Sequence, residues 1–205
     1  LILMASFLVP GGPAASGWWS YPPVSLQNPL GILLNGQALW ILAVALSGVS
    51  SILGALNVVT TILRLRAPGM GLFRMPIFCW TALSAQLIQL AGLPVLTGGA
   101  VMLLLDLVAG TSFYRPEGGG DPVLYQHFFW FYSHPAVYVM ILPAMGIMSE
   151  LVSTHSRKHI FGYKFIAYSS VAIAFFSFLV WGHHMFVSGQ SDTINTIFSL
   201  LTFSV

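Results

Sequence analysis

Long uncharged runs alternate with short polar breaks along this chain. No Asp, Glu, Lys or Arg occurs in residues 1–63, 75–105, 122–149 or 165–191. A helix needs about 20 predominantly apolar residues to cross a bilayer core, so each run can hold at least one crossing. The breaks are turn chemistry. Residues 11–29 (GGPAASGWWSYPPVSLQNP) combine Gly, Pro and Ser with aromatics suited to a membrane interface. RLRAPG, TSFYRPEGGGDP, ELVSTHSRKHIFGYK and SGQSDT separate the later runs. The pattern predicts complete spans at about 38–63, 75–105, 123–149 and 165–187, with a partial span at each end. The expected fold is all-α: a polytopic transmembrane helical bundle forming one integral membrane domain over residues 1–205.

Composition strengthens this picture. Hydrophobic residues make up 57% of the chain and charged residues 6%, with a mean hydropathy of +0.85. A soluble domain carries roughly 25% charged residues because it must present a charged surface. The net charge of +2 comes from scattered cations and points to no nucleic-acid partner. The single Cys79 excludes an internal disulfide and any CxxC metal site, and reads as a packing residue. LILMASFLVP reads as the last turns of a helix, and TINTIFSLLTFSV is too short to cross, so the chain is expected to be an internal fragment of a larger subunit.

Charge placement orients the spans. Arg64, Arg66 and Arg74 share one break, and Arg157, Lys158 and Lys164 share the break two spans later, leaving Arg115 alone opposite. The positive-inside rule then puts loops 64–74 and 150–164 on the cytoplasmic side or its equivalent. His134 is about 11 residues into an inward-running helix, roughly 16 Å deep and near mid-membrane.

Polar groups at that depth need a reason. His127, His134, Tyr138, Met145 and Ser149 are spaced to share one helical face, which must turn toward the bundle interior. His134 and Tyr138, four residues apart, are in direct reach of each other. A lone histidine there equally suits a hydrogen bond to a neighbouring helix. WGHHMF changes the balance, because His183 and His184 are adjacent in a charge-free segment. Adjacent helical side chains diverge by about 100°, so one would face lipid unless both converge on something. A metal between two helices satisfies them, and three imidazoles without a thiolate suit copper or zinc.

The run GGGDPVLYQHFFWFYSHPAVY, followed by WGHHMF, closely resembles subunit I of the haem–copper oxygen reductases. LSGVSSILGALNVVTTI and GWWSYPP resemble it too, and the likeness covers essentially the whole chain, from the end of that family's third helix into its eighth. By that resemblance His134, His183 and His184 are the three ligands of an active-centre copper. Tyr138 is the tyrosine covalently joined to the ligand histidine, able to give an electron and a proton. Trp130 packs beside the centre, Trp18 lies near a propionate of the high-spin haem, and Val137 belongs to a gas channel. The resemblance implies two haems in the full-length subunit, with axial ligands outside residues 1–205, and a partner subunit carrying the electron-entry centre.

One departure is informative. The commonest branch of that family reads HPEVY, with a glutamate that passes protons; here that position is Ala136, and Tyr132 and Ser133 precede the histidine. The chain resembles the branch in which a Tyr-Ser pair replaces the glutamate. Tyr132, one turn outward on the face of Ala136, points about 160° away from His134 and Tyr138, separating proton delivery from the metal face. Ser50, Ser51 and Asn57 match a water-filled route to Tyr132, and Ser149 matches a second route. Small hydroxyls at such places also serve helix packing. The implied activity is that of a proton-pumping terminal respiratory oxidase, in a bacterial plasma membrane or equivalent, reducing dioxygen to water with electrons from cytochrome c. A quinol-oxidising relative is the nearest alternative, and a transporter or channel with a histidine metal site is the alternative from another class.

Overall fold

A computed structural model describes residues 1–205 except Pro29 and Ile32. The expected loop 11–29 therefore ends outside the described residues. All named elements are helical: α1 (Ile2–Ala5), α2 (Gly36–Arg64), α3 (Ile77–Val108), α4 (Pro122–Ser156), α5 (Tyr163–Phe176) and α6 (Asp192–Ser204). Among the described residues, four stretches are long and apolar enough to cross a membrane: α2, α3, α4 and Tyr163–Met185. This is an all-α polytopic integral membrane protein.

Two expected boundaries move. α4 runs to Ser156 rather than 149, because ELVSTHS contains no Gly or Pro to stop it. The fourth span is not one regular helix: α5 stops at Phe176 and continues as 3-10 turns over Ser177–Leu179 and Trp181–Met185. Val180, at φ −119° and ψ 0°, breaks the register between them. The internal prolines Pro94, Pro135 and Pro143 leave α3 and α4 continuous. Each removes one N–H from the ladder, which membrane helices tolerate when neighbours satisfy the freed carbonyl.

The chain forms two compact units, residues 1–50 with 94–131 and residues 51–93 with 132–205. In the first, Asp106 is the organiser. Fully buried, its carboxylate accepts from Thr111 Oγ1 at 2.5 Å, Phe113 N at 2.9 Å and Tyr114 N at 2.7 Å. A buried charge is tolerable only when hydrogen-bonded this fully. Burial and the Asp106 charge both push the Tyr114 phenol upward, so its Oη is a neutral donor to Gly99 O at 3.2 Å. The Tyr114 ring meets Tyr125 edge-on, and Tyr125 Oη donates to Trp19 O at 3.0 Å.

In the second unit, Met75, Ile77, Trp80, Leu83 and Ala167 form a buried cluster. Association of helices in lipid is driven by close packing and hydrogen bonds rather than by escape from water. Gly146 shows the packing: a Cβ there would collide with Thr81 Oγ1 and come within 2.9 Å of Phe78 Cα. The polar clamps are Ser84 Oγ to Ser170 Oγ at 3.3 Å, Trp80 Nε1 to Tyr163 Oη at 3.1 Å, and Tyr163 Oη to Met75 O. Glu150 accepts from Ile77 N at 2.7 Å, capping α3 from α4. These contacts put the 64–74 and 150–164 loops, with six of the chain's seven cations, at one end of this unit. That is the co-localisation expected from the charges.

Candidate metal centre

Three imidazoles meet inside the second unit. His134 comes from the middle of α4, and His183 and His184 from the 3-10 turn Trp181–Met185. The ring centroids are 4.5 Å apart for His134–His183, 5.2 Å for His134–His184 and 4.4 Å for His183–His184. Nδ1 of His134 lies 3.1 Å from Nε2 of His184. One candidate ligand atom from each residue falls within 4.8 Å of the others. Nitrogens each about 2 Å from one ion lie no more than about 4 Å apart, so side-chain shifts of under about 1 Å close the set on a metal. The tight 3-10 turn resolves the adjacency problem: both neighbouring histidines face the cluster.

The donor chemistry fits a transition metal. His134 is 6% exposed, and its Nε2 is buried without a hydrogen-bond partner among the described residues. A buried polar atom left unpaired is costly unless something else occupies its lone pair. His183 has its tautomer set by Thr202. Thr202 Oγ1 donates its single proton to Phe198 O at 2.6 Å, so at 2.8 Å from His183 Nδ1 it accepts. His183 therefore carries its proton on Nδ1 and presents the Nε2 lone pair, the arrangement a metal-bound histidine needs.

Tyr138 stands one turn from His134, ring centroids 5.0 Å apart, and packs on the Ile88, Leu142 and Ala174 cluster. Tyr132 is half-buried on another face of α4, against Gly92 of α3. A Cβ at Gly92 would come within 2.8 Å of the Tyr132 ring and 3.3 Å of Phe178. Ser133 is half-buried and Val137 is exposed. Ser51 is half-buried and Asn57 exposed on α2, and among the described residues no hydrogen bond joins either side chain to Tyr132. Ser149 Oγ donates to Met145 O at 2.8 Å within its own helix.

In the first unit, Trp18 packs edge-on against Trp130 at 5.7 Å and against Phe129 at 5.2 Å, while remaining 58% exposed. Trp130 Nε1 donates to Tyr21 Oη, and burial pushes the Tyr21 phenol up, the indole contact opposing it. Ser50 is exposed on α2. Sequence reasoning missed Thr202, Gly92 and the role of Asp106. A charge at the end of an apolar run was a signal for Asp106, whereas nothing in the spacing marks Thr202.

The fold and the cluster together define a multi-pass membrane protein that gathers three imidazoles, His134 buried, His183 half-buried and His184 exposed, in a metal-compatible cluster. The chain belongs to the family described as Cytochrome C and Quinol oxidase polypeptide I, whose model matches residues 1–205. It is 53% identical over 98% of its length to cytochrome c oxidase subunit 1 of Synechocystis sp.. It is 50% identical over its whole length to the subunit 1 of Thermostichus vulcanus, and 45% identical over 98% to that of Cereibacter sphaeroides. The chain spans 36% of the length of each of these relatives. Haem and copper binding are expected of this family, and the histidine cluster is where residues of this chain fit copper.

Proposed function

We propose that this chain is the metal-centre segment of a terminal oxidase subunit that reduces dioxygen to water with electrons from cytochrome c. The observation that carries it is the convergence of His134, His183 and His184 in a chain that the family model matches throughout. The names of the relatives, all cytochrome c oxidase subunit 1, favour cytochrome c over quinol as donor. Residues 1–205 form one integral membrane domain of a longer subunit, in a bacterial plasma membrane or an equivalent energy-transducing membrane. Its partners are the other oxidase subunits, including the one with the electron-entry centre.

His134, His183 and His184 hold the copper as neutral imidazoles. When bound, copper and two haems of the full subunit supply the electrons and the place where dioxygen reacts. Tyr138 Oη holds a transferable proton beside His134, and adjacency of the two rings supports the covalent tie between them that the family resemblance implies. Tyr132 and Ser133 deliver protons from the opposite face of α4, with Ser50, Ser51 and Asn57 on one inward route and Ser149 on another. Trp18 and Trp130 line the haem side, and Val137 the path for gas.

The test uses the full-length subunit in its complex. His183→Asn or His184→Asn is expected to lower copper by one equivalent, and Tyr138→Phe to retain metal while oxygen uptake falls to a few per cent. Unchanged copper in either histidine variant removes the ligand assignment. Normal turnover in Tyr138→Phe removes the phenol's role.

A further inference from the structure

At the cation-bearing end of the second unit, a groove of about 360 Å³ opens between the last turns of α4 and the segment leading into α5. Met148, Val152 and Phe161 give it an apolar wall, and Ser156, Lys158 and His159 a polar rim. The rim is built by the way α4 ends. Arg157 takes a left-handed conformation (φ 55°), and Lys158 N reaches back to Ser153 O at 3.2 Å. This turn usually ends on glycine; here it puts Lys158 on the rim of the groove, with Arg157 preceding it in the chain, both exposed. Residues 151–191 contain no acidic side chain, and Glu150 is engaged with Ile77 N.

Beside these cations the surface is greasy. Phe161 is 96% exposed, Phe165 79% and Val152 61%. Water suits the first property and not the second. A bilayer interface suits both, with phenyl rings at headgroup depth and the cations reaching phosphates. The end of a membrane-spanning helix lies at that depth.

We infer that this groove binds an anionic phospholipid, its phosphate on Arg157 and Lys158 and its upper acyl chain along Met148, Val152 and Phe161. Charge complementarity selects the headgroup: a zwitterionic lipid brings its own ammonium, whereas an anionic one leaves the phosphate for the protein. A free phosphate ion would leave the apolar wall unused. Basic pockets between membrane helices on the cation-rich side recognise anionic headgroups in this way.

The test places the full-length subunit, in its complex, in nanodiscs containing phosphatidylglycerol or phosphatidylcholine with a diazirine near the top of an acyl chain. Phosphatidylglycerol is expected to label residues 150–166 several-fold more than phosphatidylcholine. Unlabelled phosphatidylglycerol should compete, and inorganic phosphate should not. Arg157→Gly with Lys158→Gln, which suits the left-handed turn, is expected to weaken the competition about 25-fold, fivefold per cation removed. If that pair fails to assemble, Lys158→Gln alone is read for the fivefold effect. Equal labelling by both lipids overturns the inference, and so does displacement by inorganic phosphate. Absence of labelling also overturns it, since another segment or subunit then covers the groove.

Discussion

Single atoms decide what the histidine cluster can bind. A hydroxyl has one proton, and that of Thr202 is committed to Phe198 O, so the contact with His183 fixes which imidazole nitrogen is protonated. Thr202→Val preserves shape but removes the acceptor, freeing the ring to turn or change tautomer. Loss of such an outer partner typically costs about 10–100-fold in metal affinity. Copper retention after dialysis against graded chelator should fall by that order in Thr202→Val and recover in Thr202→Ser. If Thr202→Val retains copper like the parent, Thr202 is only a helix-packing residue. His134, His183 and His184 announced themselves as imidazoles where polar groups are expensive. Thr202 did not, because a threonine bonding back within its own helix looks the same whether or not a ligand leans on it.

At the scale of helices, the spans were legible because the signal is a bulk property: about 20 uncharged residues is a length that composition alone exposes. The ends were not. The extension of α4 to Ser156 follows from the missing breaker in ELVSTHS, which the charged residue at 150 masked, and the 3-10 turn under His183 and His184 turns on the backbone at Val180. Helix contacts were also invisible, since a glycine in an apolar run says nothing about its neighbour. Gly146 is one of the places where α4 touches α3, so Gly146→Leu should drive Phe78 and Thr81 away and lower the yield of assembled complex severalfold, measured by haem absorbance per membrane protein. Normal assembly would show that the contact yields without cost. Tyr132, seated on Gly92, allows a sharper test of proton delivery. Tyr132→Phe should slow proton uptake while copper is retained. Ala136→Glu in that background should restore part of the activity, because a desolvated carboxyl exchanges protons nearer neutral pH. Full oxygen uptake and pumping in Tyr132→Phe would reduce this tyrosine to packing.

The whole chain carries its orientation in very few charges. Six of seven cations lie in two loops that contacts such as Tyr163 to Met75 and Glu150 to Ile77 hold at one end of a single unit. That arrangement satisfies the positive-inside bias only if α2 and α3, like α4 and Tyr163–Met185, form an antiparallel pair of crossings, each pair joined on the cytoplasmic side. The apolar surfaces agree: Leu53 and Leu56 of α2, Met140 and Ile141 of α4, and Phe175 of α5 are exposed, which suits lipid or neighbouring protein rather than water. A labelling experiment decides the topology. In a Cys79→Ser background, which removes the one thiol of residues 1–205, cysteines are introduced singly as Glu117→Cys and Lys158→Cys, and modification is read on the peptides that carry them. Both positions are exposed, and they flank α4. A membrane-impermeant maleimide applied to intact cells stripped of their wall should modify Glu117→Cys at once and Lys158→Cys only after permeabilisation. The opposite order would invert the assignment and place the cation-rich end outward, against the charge rule. Labelling of both from outside would mean that α4 does not cross at all. His134 would then not lie at mid-membrane, and the physical reason for gathering three imidazoles there would fail.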